Sequence, residues 1–316
     1  MKQLAVFFFV VIIAFLIACQ PTQTKFTIGY VQITEDPVLE TAKTGIFHAL
    51  ADSGFTDGIN IKVINKNAQG NLSMISAILQ SFISQNVDLI ITNSTPCMAA
   101  AAQLVHNIPV VFTVSYSPEQ IGMKMVPDNI FGVYDSLRAD EFTDLVTECM
   151  PELKRIGIPY NNAEQNAEYS AKILENTFSK RGIDIVKAPV NSVNDILQAG
   201  EYLSGKQIDA FVVSADNTVY LGLPVLAKLA SENKIPLFVT DPMQTEKGAA
   251  VGFGCNYEKW GYQSGLKAVE IIKDRIPSVP IETMPDYELS INLKSCALQG
   301  ISLSEKIIAR ATRTIN

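Results

Sequence analysis

Apolar and polar positions divide the chain into three stretches. Leu4 to Ala18 is an unbroken apolar run behind Lys2. Gln20 to Lys25 is polar. From Phe26 onward, short apolar β-branched runs alternate with longer stretches of helical period. The runs predict strands at Phe26–Val31, Ile59–Ile64, Val87–Thr92, Pro109–Val114, Ile130–Val133, Arg155–Pro159, Ile183–Lys187, Ala210–Ser214, Pro236–Thr240, Ala249–Phe253 and Tyr287–Ile291. Most are continuous rather than alternating, the pattern of strands covered on both faces. Between them Leu39, Ala42, Ile46, Phe47 and Leu50 recur at helical spacing, as do Leu72, Ile75, Ile78, Leu79 and Phe82.

Repeated βα units give an α/β fold with doubly wound, parallel sheets and helices on both faces. So many strands exceed one sheet of ordinary size, which predicts two lobes. Breaks at Ser115-Tyr116-Ser117-Pro118, at Gly252-Phe253-Gly254 and near Pro285-Asp286 predict three hinge crossovers. The expected division is 26–115 with 254–286 in lobe 1, and 116–253 with 287–316 in lobe 2.

Composition changes the reading of the first stretch. The mean hydropathy of +0.18 over 316 residues is high for a soluble chain, but the excess lies in residues 1–18, and the remainder averages roughly zero. A basic residue followed by an apolar run is a secretory signal pattern. It closes on Leu16-Ile17-Ala18-Cys19, which resembles the bacterial lipobox. That resemblance implies a signal peptide at 1–18, lipidation (palmitate among the chains) at Cys19, a tether at 19–25, and an extracytoplasmic protein of the cell envelope, lipid-anchored to a bacterial membrane. A plain N-terminal membrane anchor is the alternative. The net charge of −7 argues against nucleic acid as a partner. The two histidines argue against a His-rich metal site. Cys97, Cys149, Cys255 and Cys296 lie scattered in apolar segments and read as free core thiols.

Ligands of open α/β sheets bind beyond the carboxyl ends of the strands. Polar residues at those ends are therefore the candidates: Gln32 to Pro37, Asn65 to Gly70, Thr92 to Pro96, Ser115 to Ser117, Tyr160 to Glu164, Ser214 to Asn217 and Thr240 to Pro242. Taken singly, each cluster is an ordinary helix N-cap. Together they converge on one cleft. The helix start at Ser94-Thr95-Pro96 suits a ligand carboxylate, and Asp216 and Asp241 suit an ammonium. Tyr116, Tyr160, Phe253 and Tyr257 are candidates for an aromatic wall. Trp260, on the helix with Tyr257, Gly261 and Gly265, reads as core. No G-x-S-x-G, G-x-x-x-x-G-K-[ST] or H-E-x-x-H motif is present. Cys97 at a helix start is the nearest candidate nucleophile, without an evident His partner.

The ordered words Asn67-Ala68-Gln69-Gly70, Asp88-Leu89-Ile90, Thr95-Pro96, Ile108-Pro109-Val110-Val111-Phe112-Thr113, Arg155-Ile156-Gly157, Tyr160-Asn161, Asp216-Asn217, Ile235-Pro236, Lys247-Gly248-Ala249, Tyr257 with Gly261, and Asn292-Leu293 resemble the ABC transporter substrate-binding lipoproteins that include tryptophan- and tyrosine-binding members. The resemblance spans Phe26 to the C-terminus. It implies a type 1 periplasmic-binding-protein fold, no catalysis, no cofactor, a monomer, and a permease and ATPase as partners. It implies ligand contacts at Thr34 and Glu35, Ser94, Thr95 and Pro96, Ser115 and Tyr116, Tyr160 and Asn161, Asp216 and Asn217, and Asp241. Two words depart from the family: Asp36-Pro37-Val38-Leu39-Glu40 after the first strand, and Asn166-Ala167 after the glutamate. The expected function is capture of a small ligand, an amino acid and an aromatic one in particular, by hinge closure. The alternatives are a membrane-tethered α/β enzyme and a sensory receptor using the same cleft.

Overall fold

A computed structural model describes residues 25–316. The leader and Cys19 lie outside the described residues, and among the described residues no helix is long and apolar enough to cross a membrane.

The strand and helix alternation resolves into two sheets. The first is built by β1 (Phe26–Gln32), α1 (Pro37–Asp52), β2 (Ile61–Asn67), α2 (Leu72–Ser84), β3 (Leu89–Asn93), α3 (Thr95–Leu104), β4 (Val110–Ser115) and β5 (Ile130–Tyr134). Its strand order is β11-β5-β4-β3-β1-β2, where β11 (Ile281–Thr283) returns from late in the chain. Every pairing in it is parallel.

The second sheet follows with α4 (Ala139–Cys149), β6 (Arg155–Tyr160), α5 (Gln165–Lys180), β7 (Asp184–Pro189), α6 (Ile196–Ser204), β8 (Ala210–Val213), α7 (Asn217–Leu221), α8 (Leu223–Asn233), β9 (Leu237–Val239) and β10 (Val251–Cys255). The chain then visits the first lobe through α9 (Tyr257–Ile272) and β11. It returns as β12 (Tyr287–Asn292), α10 (Leu293–Leu298), α11 (Glu305–Ile308) and β13 (Arg313–Ile315). The order is β13-β12-β10-β9-β8-β6-β7. It is parallel except for β10 with β12, which run antiparallel because β12 re-enters straight from the other lobe.

Period-two alternation puts one core on each face of each sheet. In β1, Val31 faces Phe82 of α2 and Met98 of α3, whereas Ile28 and Tyr30 face Ile46 of α1 and Val269 of α9. The second sheet divides likewise between a face with Phe142, Leu174 and Phe178 and one with Leu203, Leu226 and Phe211. Helices α1 and α9 touch backbone to backbone. A Cβ on Gly261 would stand 1.8 Å from the Ala42 carbonyl oxygen, and one on Gly45 would stand 2.1 Å from that of Glu258.

The chain passes between sheets at 135–138, at Asn256 and at 284–286. The first passage lies 20 residues beyond the expected break at Ser115. β5 belongs to the first sheet because it pairs with β4, Val110 to Ile130 and Phe112 to Gly132. Gly132 leaves room for the Phe112 ring, which a Cβ would approach to 2.5 Å. Ser115-Tyr116-Ser117-Pro118 instead opens a loop that returns to the same sheet. The expected strand from Ile59 starts at Ile61, and Ile59 is 72% exposed.

The crossovers are tied together. The Tyr287 hydroxyl donates to the Asp135 carboxylate, Arg138 donates to the Pro285 carbonyl at 2.9 Å, and the Asn256 amide donates to the Asp286 carbonyl at 3.1 Å. The Arg138 guanidinium also lies 4.1 Å from the Tyr287 ring centre.

Candidate functional site

The carboxyl ends of both sheets face a cavity of about 570 Å³, counting its open mouth. The first lobe supplies Thr34, Asp36, Val38 and Leu39 from the end of β1 and the start of α1, Thr95 from the start of α3, and Val114, Ser115 and Tyr116 from the end of β4. α9 adds Tyr257 and Trp260, and the first crossover adds Asp135. From the second lobe come Asn166 on α5 and Ala215, Asp216, Asn217 and Tyr220 around α7. The wall thus combines four aromatic rings with three carboxyl groups, and among the described residues no lysine or arginine lines it. Lys247 is bound to Asp36 at 2.5 Å and to the Tyr220 carbonyl at 3.3 Å.

Local sequence explains how each group is held. Asp36 and Asp216 are N-caps, accepting from the Val38 amide at 2.9 Å and the Val219 amide at 2.8 Å. Asp216 also accepts from the Asn161 amide at 2.6 Å, which binds the end of β6 to the start of α7. Glu164 braces the same corner, accepting from the Asn217 side chain at 2.5 Å and the Thr218 hydroxyl at 2.7 Å. Burial, with Glu164 alongside, pushes the Asp216 carboxyl up to about 7. Burial also raises Asp135, opposed by its bonds from Tyr287 and Leu137. The phenols of Tyr116, Tyr220 and Tyr257 are raised by burial and stay neutral. Trp260 spends its indole N–H on the Val133 carbonyl at 2.7 Å, leaving its ring as wall.

Backbone strain gathers here. Val114, a β-branched residue, has φ +48 at the register shift between Phe112 and Ser115. Ser94 has φ +115, and Leu137 and Arg138 in the crossover have φ +68 and +37. Such conformations cost about 1–3 kcal/mol each and cluster at ligand clamps. Ser94 occupies the N-cap position of α3 yet makes no cap bond, and its buried hydroxyl has no partner.

Of the residues expected from sequence, Thr34, Thr95, Ser115, Tyr116, Asp216 and Asn217 line the cavity. Glu35 points to solvent. Ser94 and Pro96 are buried behind the wall. Tyr160 sits with Lys187, whose ammonium is 5.8 Å from its ring centre, and Asn161 supports Asp216 and Thr218 from behind. Asp241 is fully buried and caps the 3-10 turn Pro242–Lys247, accepting from the Met243 amide at 2.8 Å. Phe253 packs on Tyr287, ring centres 5.5 Å apart.

The nucleophile reading of Cys97 fails on geometry. The thiol is fully buried, and burial pushes it up to about 12, so thiolate is absent at neutral pH. His48 pairs instead with Glu258 at 3.2 Å. The four cysteines among the described residues are free and buried. Among the described residues, no group of three His, Cys, Asp or Glu is placed to hold a metal.

The sequence model of a family described as ABC transporter substrate binding protein matches residues 27–315. A tyrosine-binding protein of Clostridioides difficile (strain R20291) is 33% identical over 283 residues, 87% of this chain and 82% of that one. The crystal structure of an ABC domain in complex with L-Trp from Streptococcus pneumonia aligns with TM-score 0.86 at 24% identity, covering 92% of this chain and 100% of that one. A ligand-free, open structure of a substrate binding protein with adhesive properties from Clostridium difficile aligns at 0.68 with 32% identity, covering 92% and 99%. A lower score at a higher identity is what a rotation between lobes produces.

Proposed function

The chain belongs to the family of ABC transporter substrate-binding proteins, and from that membership we propose that it captures an amino acid, an aromatic one in particular, by closing its two lobes around the cleft. Proteins of this family are extracytoplasmic binding proteins rather than enzymes. The fold is that of the type 1 periplasmic binding proteins. The observation that carries the ligand reading is the cavity itself. Tyr116, Tyr220, Tyr257 and Trp260 offer flat apolar area for a side chain, and the carboxyl groups of Asp36, Asp135 and Asp216 offer oxygens to accept from an ammonium. The start of α3 at Thr95 presents helix N–H groups to a carboxylate.

The closed arrangement supports capture. Lys247 and Asp36 join opposite lobes, as do the Gln120 amide and the Tyr169 hydroxyl at 3.0 Å. The Tyr116 and Tyr169 rings meet at 4.8 Å between centres. The closed form is the one a permease recognises, and permease with ATPase completes an importer. Cys19, beyond the described residues, anchors the protein to the membrane through lipid. Stable anchoring needs more than one acyl chain.

Calorimetric titration with the set of natural amino acids tests this reading. Binding of tyrosine, tryptophan or phenylalanine in preference to the rest is expected. Binding of a sugar or nucleoside with no response to any amino acid would overturn it.

A further inference from the structure

Asn166 was not among the residues expected to touch ligand, and its side chain is satisfied on one side only. It is 4% exposed and lines the cavity. Its amide nitrogen donates to the Ala215 carbonyl at 2.8 Å and lies 3.3 Å from a Glu164 carboxylate oxygen. Flipping the amide would turn its oxygen onto those two acceptors, so the orientation is set. That leaves Oδ1 buried without a partner, a deficit of about 1–3 kcal/mol unless something donates to it. The Glu164 carboxylate is buried beside it, and among the described residues no lysine or arginine lines the cavity. A cationic N–H donor fits that place better than a neutral one.

We propose that Asn166 Oδ1 accepts a hydrogen bond from the ligand's ammonium group, which fixes the amine end of the ligand against the second lobe and sets selectivity for amine-bearing ligands. This rests on the amino-acid reading above. The carboxylate end then points across the cleft toward Thr95, so that one small zwitterion spans both lobes and holds them together.

The test pairs L-tyrosine with its des-amino analogue, measured by calorimetry on wild type, Asn166→Ala and Asn166→Asp. Wild type is expected to favour tyrosine by at least about tenfold, as charge-assisted hydrogen bonds require. The alanine variant should lose about tenfold or more for tyrosine and change little for the analogue. Aspartate keeps an acceptor but turns a second oxygen onto the Ala215 carbonyl and Glu164, so it should lose affinity for both ligands, which separates damage to this corner from loss of the acceptor alone. Equal losses for both ligands in the alanine variant would show a structural role only and overturn the proposal. If folded wild type binds neither probe nor any other natural amino acid, the amino-acid reading fails, and this proposal falls with it.

Discussion

Lys247 of the second lobe sets its ammonium 2.5 Å from the Asp36 carboxylate of the first. The pair is mostly shielded from water, with side chains 21% and 8% exposed. Asp36 performs three tasks at once: it caps α1, lines the cavity and receives this ion pair. A charge from each lobe is thus in contact at the edge of the cavity.

Breaking that pair is expected to weaken binding more than folding. Lys247→Met leaves Asp36 with its cap bond but no counter-charge. Ligand affinity should fall about tenfold, the scale of a partly buried pair. Scattering should show a larger radius of gyration at saturating ligand. Unchanged affinity would mean that the pair is incidental to closure.

Trp260 is the chain's one tryptophan, and its ring is part of the cavity wall. Ligand entry should change its emission, and stacking on Tyr257, 5.7 Å away between centres, should keep the unliganded spectrum blue-shifted. A titration excited at the red edge, where tyrosine does not absorb, reads this directly. A spectrum that stays constant through a calorimetrically verified binding event would place the ligand elsewhere.

Stability should decline as pH rises through the acid range. Asp241, held by burial at about 7 against the ordinary 3.8, stays protonated when folded and ionises when unfolded. The folded state binds more protons in that window, so unfolding becomes easier with increasing pH. Asp216 has the same sign. Asp241→Asn keeps the oxygen that accepts from Met243 and removes the titration. Its melting temperature relative to wild type should rise between about pH 5 and about pH 8. A difference that is flat with pH would remove Asp241 from this role.

Gly261→Ala should destabilise the first lobe by about 3 kcal/mol or more, since overpacking against backbone finds no side chain to move aside. Denaturant unfolding measures it. Gly265→Ala meets the Ala49 methyl and the Ile46 backbone and should act in the same direction.

The architecture was legible where patterns are long. Eleven apolar runs and their helical partners predict the two doubly wound sheets, because burial on both faces writes itself into every residue of a strand. The three-residue edge strands β11 and β13 carry no such signal, and both escaped notice. Placing β5 in the wrong lobe also hid Asp135. The strand-end rule picks that residue out at once when β5 is read as part of the first sheet. Asn166 was missed for a different reason. A polar residue in the first turn of an amphipathic helix is indistinguishable from a solvated one until the neighbouring strand end is in place. Asp241 illustrates the converse, since a cap and a ligand contact share one composition and only geometry separates them.

The passage of α9 and β11 into the first lobe has a consequence for how this protein is made. Helix α1 can lay Gly45 against nothing until Glu258 and Gly261 exist, and β5 lacks its outer neighbour until residue 283 has been synthesised. The first lobe to emerge is thus completed only at β11, after most of the second lobe has been made, and the second lobe closes last with β12 and β13. Neither lobe is therefore complete in a chain cut before residue 281, and both depend on the same late stretch.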